Sequence, residues 1–559
     1  MKNIKVGIFL TFLFIEGKAA GQVTINGHQP CYDRNTESLL FNISADSLYD
    51  LTADVTTDDT CRWQDVRIDG KAIGSQFQFG DVLKNKSFLL TATLSNDSTI
   101  RRNIRFTSLP IINIHKATAF TDDYSSATFS LLTSDNVAHY NCVIKHRGGS
   151  TNTSDRHKRN YKLKIQNAQG KNLDVSLLGM RKDKSWILDA GQIDLFRLRN
   201  NVCHNLWVDF STSPYYKKQE PELCNGCHAK IVEVFINNEY RGIYSLMEPI
   251  DKEQLCLKKY SAKKGGVRGL LYKTSSWDHT SFYYDFTDAY DNKSGTWYGW
   301  EAQYPEPGDD ADTTDWKPLD EFNRIVSTET DKNFYDEITQ RLDMPVYRDY
   351  VLFINLINGI DNVGKNMYWN LYDGGEDNKF VPTPWDMDAT FGQWYTDADT
   401  SMDSTWLSPT REIGSITNID RRLYDLSDSG FSASLEERWA DLRTTFFSQD
   451  ALLERFKNAF QTINENGAVS REEAKWSEDS DIGGLKLDME GQLNYILKWI
   501  PQRLAFLDKK YNYSSATDIL KVHTFNRNVE RKGRFNILGQ SVDDSYHGIV
   551  ISGGKKILR

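Results

Sequence analysis

No apolar run in this 559-residue chain reaches the roughly 20 residues that a bilayer-spanning helix needs. The run Val6 to Ile15 is about half that length and nothing later comes close, so no transmembrane segment is expected. There is no Lys/Arg block of the kind that tracks phosphates along a nucleic acid, and a formal net charge of -10 repels DNA and anionic membrane surfaces. Nucleic acid is therefore not an expected partner. Internal repeats are absent. Cysteine is scarce, seven residues in all, and the odd number leaves at least one thiol unpaired if all are retained.

What is present is the composition of a folded protein: 39% hydrophobic, 12% aromatic and 26% charged residues, far from the corner where chains stay disordered. The length allows about three to four structural units. Lys2 and Lys5, the apolar run Val6 to Ile15 and Gly17-Lys18-Ala19 have the order of a secretory signal, placing a signal peptide over residues 1–20 and the mature protein outside the cell or on its surface. Export permits disulfides, and Cys31 with Cys61 is one candidate staple. Cys224-Asn225-Gly226-Cys227-His228 has the spacing of covalent haem attachment, and Cys203-His204 with Cys256 offers a zinc alternative. A disulfide or local loop clamp is the favoured reading.

Short apolar runs separated by polar turns from Val23 to Ile112 predict a small immunoglobulin-like β-sandwich over residues 23–113, to which no chemistry is assigned. Residues 117–513 alternate strands and helices in an α+β pattern, with strands near Ala138–Lys145, Tyr161–Ile165, Ile231–Ile236 and Gly242–Leu246. A helix from Val346 to Ile360, with Pro345 before it and Gly359 near its end, delivers Asp361. Further helices are expected over Leu435–Phe460 and Leu485–Tyr511, with Trp439, Leu442, Phe446, Ile496, Trp499, Leu504 and Leu507 buried. Ser275 to Pro318, rich in Trp, Tyr, Asp and Gly, reads as an ordered insertion able to cover a groove. Residues 514–559 form a short β-rich tail.

The sharpest chemical pattern is Asp361-Asn362-Val363-Gly364-Lys365-Asn366, then the apolar run Met367 to Tyr372, a turn, and Trp385-Asp386-Met387-Asp388. Phosphoryl transfer needs a carboxylate to orient the attacking hydroxyl, oxygen ligands for Mg²⁺ and a cation on the phosphates. Asp361, Asn366 and Asp386 have the order of a kinase catalytic loop followed by its metal-binding Asp. Upstream, Arg147-Gly148-Gly149-Ser150 is a small-residue turn after a strand, and Lys162 and Lys164 lie on one face of the next strand, a combination able to cap a triphosphate.

These pieces, with Trp186-Ile187-Leu188, Leu198-Arg199-Asn200, the run Val234 to Tyr244, Trp297-Tyr298-Gly299-Trp300, Tyr304-Pro305 and Arg438-Trp439, resemble the CotH kinase family of spore coat protein H and its relatives over roughly Asn141 to Tyr511. The resemblance implies an atypical protein-kinase-like fold, with ATP as substrate and Mg²⁺ (or Mn²⁺) as cofactor. It implies Asp361 as the base, Asn366 and Asp386 as metal ligands and Asp388 as a further one. Lys164 becomes the phosphate-binding lysine, and Glu248 lies at a hinge that reads adenine. The implied activity is transfer of the γ-phosphate to Ser/Thr of an unknown extracellular or surface protein. Two alternatives stand beside it: a surface adhesion or scaffold protein with a kinase-like fold, and AMP transfer on the same fold. The chain departs from the family in reading Arg-Gly-Gly-Ser where Arg-Gly-Asn-Ser is common, and in the interruption Cys203 to His228. The tail is similar to C-terminal sorting modules of exported proteins.

Overall fold

The computed structural model describes residues 23–57, 63–94, 96–149, 152–153, 156–261, 263, 266–276, 282, 286–308, 310–374, 378–393, 417–426, 429–477, 486–514, 534–536, 549–552 and 555–558. The signal peptide, Cys61 and Ser150 lie outside them. The chain divides into a unit ending at Phe506 and one running from Leu507 to Arg559. The second contains an antiparallel sheet of Arg534–Asn536, Ile549–Ser552 and Lys555–Leu558.

The N-terminal β region has one six-stranded sheet, in which Thr99–Thr107 lies between Ser38–Asn42 and Phe88–Leu94. Two strand pairs, Val23–Ile25 with Val55–Thr57 and Leu51–Ala53 with Phe77–Gly80, share its core of Phe41, Ile68, Leu90, Ile104 and Phe106. This region is tied to the rest of its unit. Lys84 N donates to Glu465 O at 2.9 Å, Arg471 Nη1 to Asn85 Oδ1 at 2.9 Å, and Cys31 and Leu40 pack with Ile111, Phe235 and Tyr240.

Seven strands then close into a barrel: β1 (Ile111–His115), β2 (Ser125–Thr133), β3 (Asn136–Arg147), β4 (Asn160–Gln166), β5 (Ser185–Asp189), β6 (Ala229–Ile236) and β7 (Glu239–Met247), in the order β1-β2-β3-β4-β5-β7-β6, with β6 returning parallel to β1. The period-two pattern sends Tyr161, Leu163 and Ile165 of β4 into the barrel core beside Trp186 and Leu246, and turns Lys162 and Lys164 outward. Helix α1 (Arg199–Phe210) connects β5 to β6. This unit also holds a five-stranded sheet of β8 (Leu270–Thr274), β9 (Thr296–Trp297), β10 (Trp300–Tyr304), β11 (Met367–Leu371) and β12 (Val381–Pro384), with helices α2 (Lys317–Ser327), α3 (Asp331–Arg341), α4 (Met344–Ile357), α5 (Asn418–Asp425), α6 (Phe431–Arg443), α7 (Gln449–Glu465) and α8 (Ala468–Trp476), and α9 (Met489–Lys510) begins in it.

Two expectations change, and the ordered insertion stands where it is described. The span Leu435–Phe460 is two helices, α6 and α7, broken at residues 444–448, and the break exposes Phe446 while burying Phe447. The aromatic insertion is structural where it is described: β10 pairs with β8, and Trp297, Trp300 and Trp316 are buried, with Trp300 against Trp369 at 6.4 Å. Cys224 and Cys227 are separate thiols, so the clamp is made by packing instead: Asn225 Nδ2 donates to Pro382 O at 3.1 Å, Gln254 Nε2 to Gly226 O at 2.6 Å, and Gly226 lies against Trp207.

Helix α5 supplies a pH-dependent stability contribution. Asp420 is fully buried, accepts from Tyr347 Oη at 2.6 Å, and is pushed up to about 7 by burial, partly offset by that hydrogen bond. The folded chain therefore binds a proton that the unfolded chain releases near the ordinary value of 3.8, and stability falls as pH rises through 7. Asp420→Asn should flatten this slope and stabilise the protein at pH 8, by about 4 kcal/mol at most, in urea unfolding measured at pH 5 and pH 8. Equal slopes in both proteins would refute it.

Candidate active site

Helix α4 is buried from Val346 to Ile357 apart from Arg348, capped by Asp343 at its start and closed by Asn358 in the left-handed conformation (φ 54°), with Gly359 N bonded to Ile354 O at 3.1 Å. The chain leaves the helix into a 3₁₀ turn, Asp361–Val363, which sets the half-buried Asp361 side chain at the cleft. Asn366 Nδ2 and Lys365 Nζ lie 3.4 and 3.5 Å from Asp361 Oδ2.

Asn362 ties this loop to the segment after β12: its Nδ2 donates to Asn366 O at 3.1 Å and to Trp385 O at 2.6 Å, while its own carbonyl accepts from Tyr350 Oη at 2.6 Å. Trp385 N completes the link by donating to Asn366 O at 3.0 Å. Both Asn366 (φ 57°) and Asp386 (φ 59°) are held in the left-handed region, which is costly for non-glycine residues and persists where surrounding bonds enforce it.

On the far wall, Asn200 of α1 donates to Asp189 Oδ2 at 2.8 Å and accepts from Met387 N at 3.0 Å, fixing Asp189 beside the Asp386–Asp388 segment. Asp189 and Asn200 sit within or next to motifs that point to the family, yet sequence reasoning assigned neither a role in the site. Asp386 opens to water in a crevice whose walls strip part of its hydration. That loss and the Asp189 charge raise its carboxyl, against the pull of Arg147 and Lys273. Asp388 is raised further, by burial and then by Asp386, Asp189, Asp194 and Asp361. The cleft thus concentrates carboxylates that repel one another.

That donor set, carboxylates with an amide oxygen at Asn366, fits Mg²⁺. Among the described residues no three His, Cys, Asp or Glu side chains form a metal cage. Mg²⁺ characteristically takes one or two carboxylates and completes its shell with water and phosphate oxygens.

The opposite side of the cleft is basic. Arg147, at the end of β3, stacks its guanidinium over the Trp385 ring at 5.2 Å, next to Asp386, and the exposed Gly148 (φ 116°) and Gly149 follow it. Lys162 is half-buried and makes no ion pair among the described residues; burial and then Arg147 lower its ammonium. Lys164 shares this face, its Nζ 4.7 Å from the centre of the Tyr124 ring that Lys145 also approaches. Glu248 is buried with both oxygens engaged, by Arg181 N at 3.0 Å and by His228 N and Nδ1 at 2.9 Å, so its side chain clamps backbone and is not available to a ligand. His204 is held neutral, pushed down to about 3 by burial, between Cys227 Sγ at 3.2 Å and Trp385. Burial raises the thiols of Cys203 and Cys227, which opposes the thiolate a zinc site needs.

No curated protein matches the chain. The family model described as CotH kinase protein matches residues 144–507, a span that contains the Gly-rich turn, α1, the Asp361 loop and the Asp386 segment. The chain belongs to the CotH kinase family.

Proposed function

We propose that this protein is exported and transfers the γ-phosphate of ATP, with Mg²⁺ or Mn²⁺, to Ser or Thr of an extracellular or surface protein. The reading rests foremost on Asn362, which locks Asp361, Asn366 and Asp386 into one rigid constellation. Kinase chemistry is mostly positioning and charge neutralisation, so a fixed constellation is what it requires. Asp361 orients the acceptor hydroxyl and takes up its proton. Asn366 and Asp386 hold the metal, with Asp388 as a further ligand; when bound, the metal neutralises phosphate charge. Lys162, with Arg147, is the phosphate-facing cation in preference to Lys164, and the backbone of Gly148 and Gly149 covers the phosphates. The run β3-β4-β5-β7-β6 with α1 between β5 and β6 supports a kinase-like lobe with the Gly148-Gly149 turn at the cleft. The immunoglobulin-like character of the N-terminal region and the sorting role of the tail belong to the same proposal.

The test incubates residues 21–559 with γ-labelled ATP, Mg²⁺ or Mn²⁺ and a generic protein acceptor, beside Asp361→Ala. Transfer that falls on the order of 10²-fold or more in the variant supports the reading. An acceptor mass gain of AMP moves the assignment to nucleotidyl transfer, and no transfer with no nucleotide binding moves it to adhesion. Lys162→Ala should raise the KM for ATP about tenfold, the cost of one charge-assisted contact, with Lys164→Ala near the unaltered protein. The reverse order would restore Lys164.

A further inference from the structure

Away from the cleft, a cavity of about 620 Å³ opens where the N-terminal β region, one end of the barrel and helix α8 meet. That is within the range of small-ligand sites. Its lining includes Arg34, Arg156, Arg159, Arg241 and Lys475, with Glu239 the one carboxylate among the described lining residues. Glu239 is shared three ways, accepting from Lys475 Nζ at 2.6 Å, Arg241 Nη1 at 2.9 Å and Arg34 Nη2 at 3.5 Å. Among the described lining residues five permanent cations face one carboxylate, an excess of four positive charges in a chain whose overall charge is -10.

These cations are oriented, not loose. Arg241 and Lys475 lie over the Trp476 ring at 5.0 and 5.4 Å, and Arg241 Nη2 donates to His157 O at 2.6 Å while its buried Nε has no partner. Arg159 is steered by Arg156 O at 2.7 Å and Asn152 Oδ1 at 2.9 Å, both uncharged acceptors. Stacked, hydrogen-bonded guanidinium groups lose little freedom on meeting an oxyanion, and their planar forks match phosphate geometry.

We propose that this cavity is a binding site for a phosphate monoester, separate from the catalytic cleft. Arg159, Arg241 and Lys475 hold the dianion, and Arg34 closes the rim from the N-terminal region. Residues 156–159 belong to the connection that begins at Arg147-Gly148-Gly149, so a bound monoester anchors the root of that connection.

The experiment is calorimetric titration of residues 21–559 without divalent metal, at fixed ionic strength, using free O-phosphoserine, a phosphoserine peptide and glucose 6-phosphate as probes. Binding of at least one probe is expected. It should weaken about tenfold in Lys475→Gln and in Arg34→Gln, whose metal-free unfolding midpoints report folding, and stay within about twofold in Lys162→Ala. Preference for the peptide over the free esters assigns the source to a phosphorylated protein, and preference for glucose 6-phosphate or free O-phosphoserine assigns it to a small metabolite. No binding by any probe overturns the site. So does binding that Lys162→Ala abolishes and both cavity variants retain, since the anion then occupies the cleft. If Lys475→Gln fails to fold, Arg34→Gln, at a side chain mostly exposed to solvent, decides alone.

Discussion

Asp386→Asn should reduce phosphate transfer by 10²-fold or more while making the metal-free protein more resistant to unfolding. The two effects have one cause. Asp386 is raised by its crevice and by Asp189, with Asp361 adding to the repulsion, so in the absence of a cation its negative charge is a cost to the fold. Asparagine has nearly the same shape and tolerates the left-handed backbone of this position (φ 59°), so the substitution removes charge without forcing a new conformation. A carboxyl raised above its unfolded value binds a proton that the unfolded chain releases. Stability from this group is thus present at acid pH and lost as pH rises through the folded value, and the variant should lose that dependence. Calorimetric unfolding with and without Mg²⁺ checks the account. Mg²⁺ should raise the midpoint of the unaltered chain and leave Asp386→Asn nearly unmoved, by mass action on a site that only the former retains. A variant that loses activity and stability together would mean that Asp386 is structural.

The parts of the site readable in the sequence were those carried by contiguous residues. Asp361 to Asn366 is one turn, Trp385 to Asp388 another, and the alternation in β4 placed Lys162 and Lys164 on one face because strand periodicity is strict. The proposed preference for Lys162 rests on contacts across the barrel, where Lys162 feels Arg147 and Lys164 lies by Tyr124. Asp189 was out of reach for a similar reason. It enters the site through Asn200, whose bond to Met387 joins residues 187 positions apart, and no local pattern records such a pairing. The misread helix shows the opposite limit. Apolar residues continue across the break at residues 444–448, so periodicity extended one helix through it and buried Phe446 in place of Phe447. The role of the Glu248 side chain was out of reach as well, because a carboxylate near a hinge can serve ligand or backbone, and its bonds to Arg181 and His228 commit it to the latter.

Glu472→Gln should be among the most destabilising single substitutions in the chain, by about 3–5 kcal/mol in urea unfolding at pH 7. Glu472 is fully buried on α8 and accepts from Lys158 Nζ at 2.7 Å, Arg197 Nε at 2.8 Å and Ile243 N at 2.8 Å. Gly242 makes this approach possible: at φ +97° it carries no Cβ, and one placed there would lie 2.0 Å from Glu472 Oε2. Glutamine keeps the volume but leaves two buried cations without their counter-ion, and desolvation of each is then uncompensated. Burial holds Lys158 down at about 8, with Glu472 pulling it back up and Arg197 lowering it further, so losing the carboxylate drives it lower still. A lysine depressed in the folded state binds fewer protons than the unfolded chain between its folded value and 10.5, so stability rises with pH across that interval. In Glu472→Gln the interval should open below pH 8, and part of the deficit at pH 7 should be recovered by pH 9 as Lys158 sheds its proton. A cost below about 1 kcal/mol, or a deficit independent of pH, would show that the three bonds contribute little. Lys158 lies in the connection that starts at Gly148 and Gly149 and also donates to Ala190 O and Ile243 O. The same substitution should therefore raise the KM for ATP before it unfolds the protein, since the turn proposed to cover the phosphates is rooted where Glu472 holds Lys158.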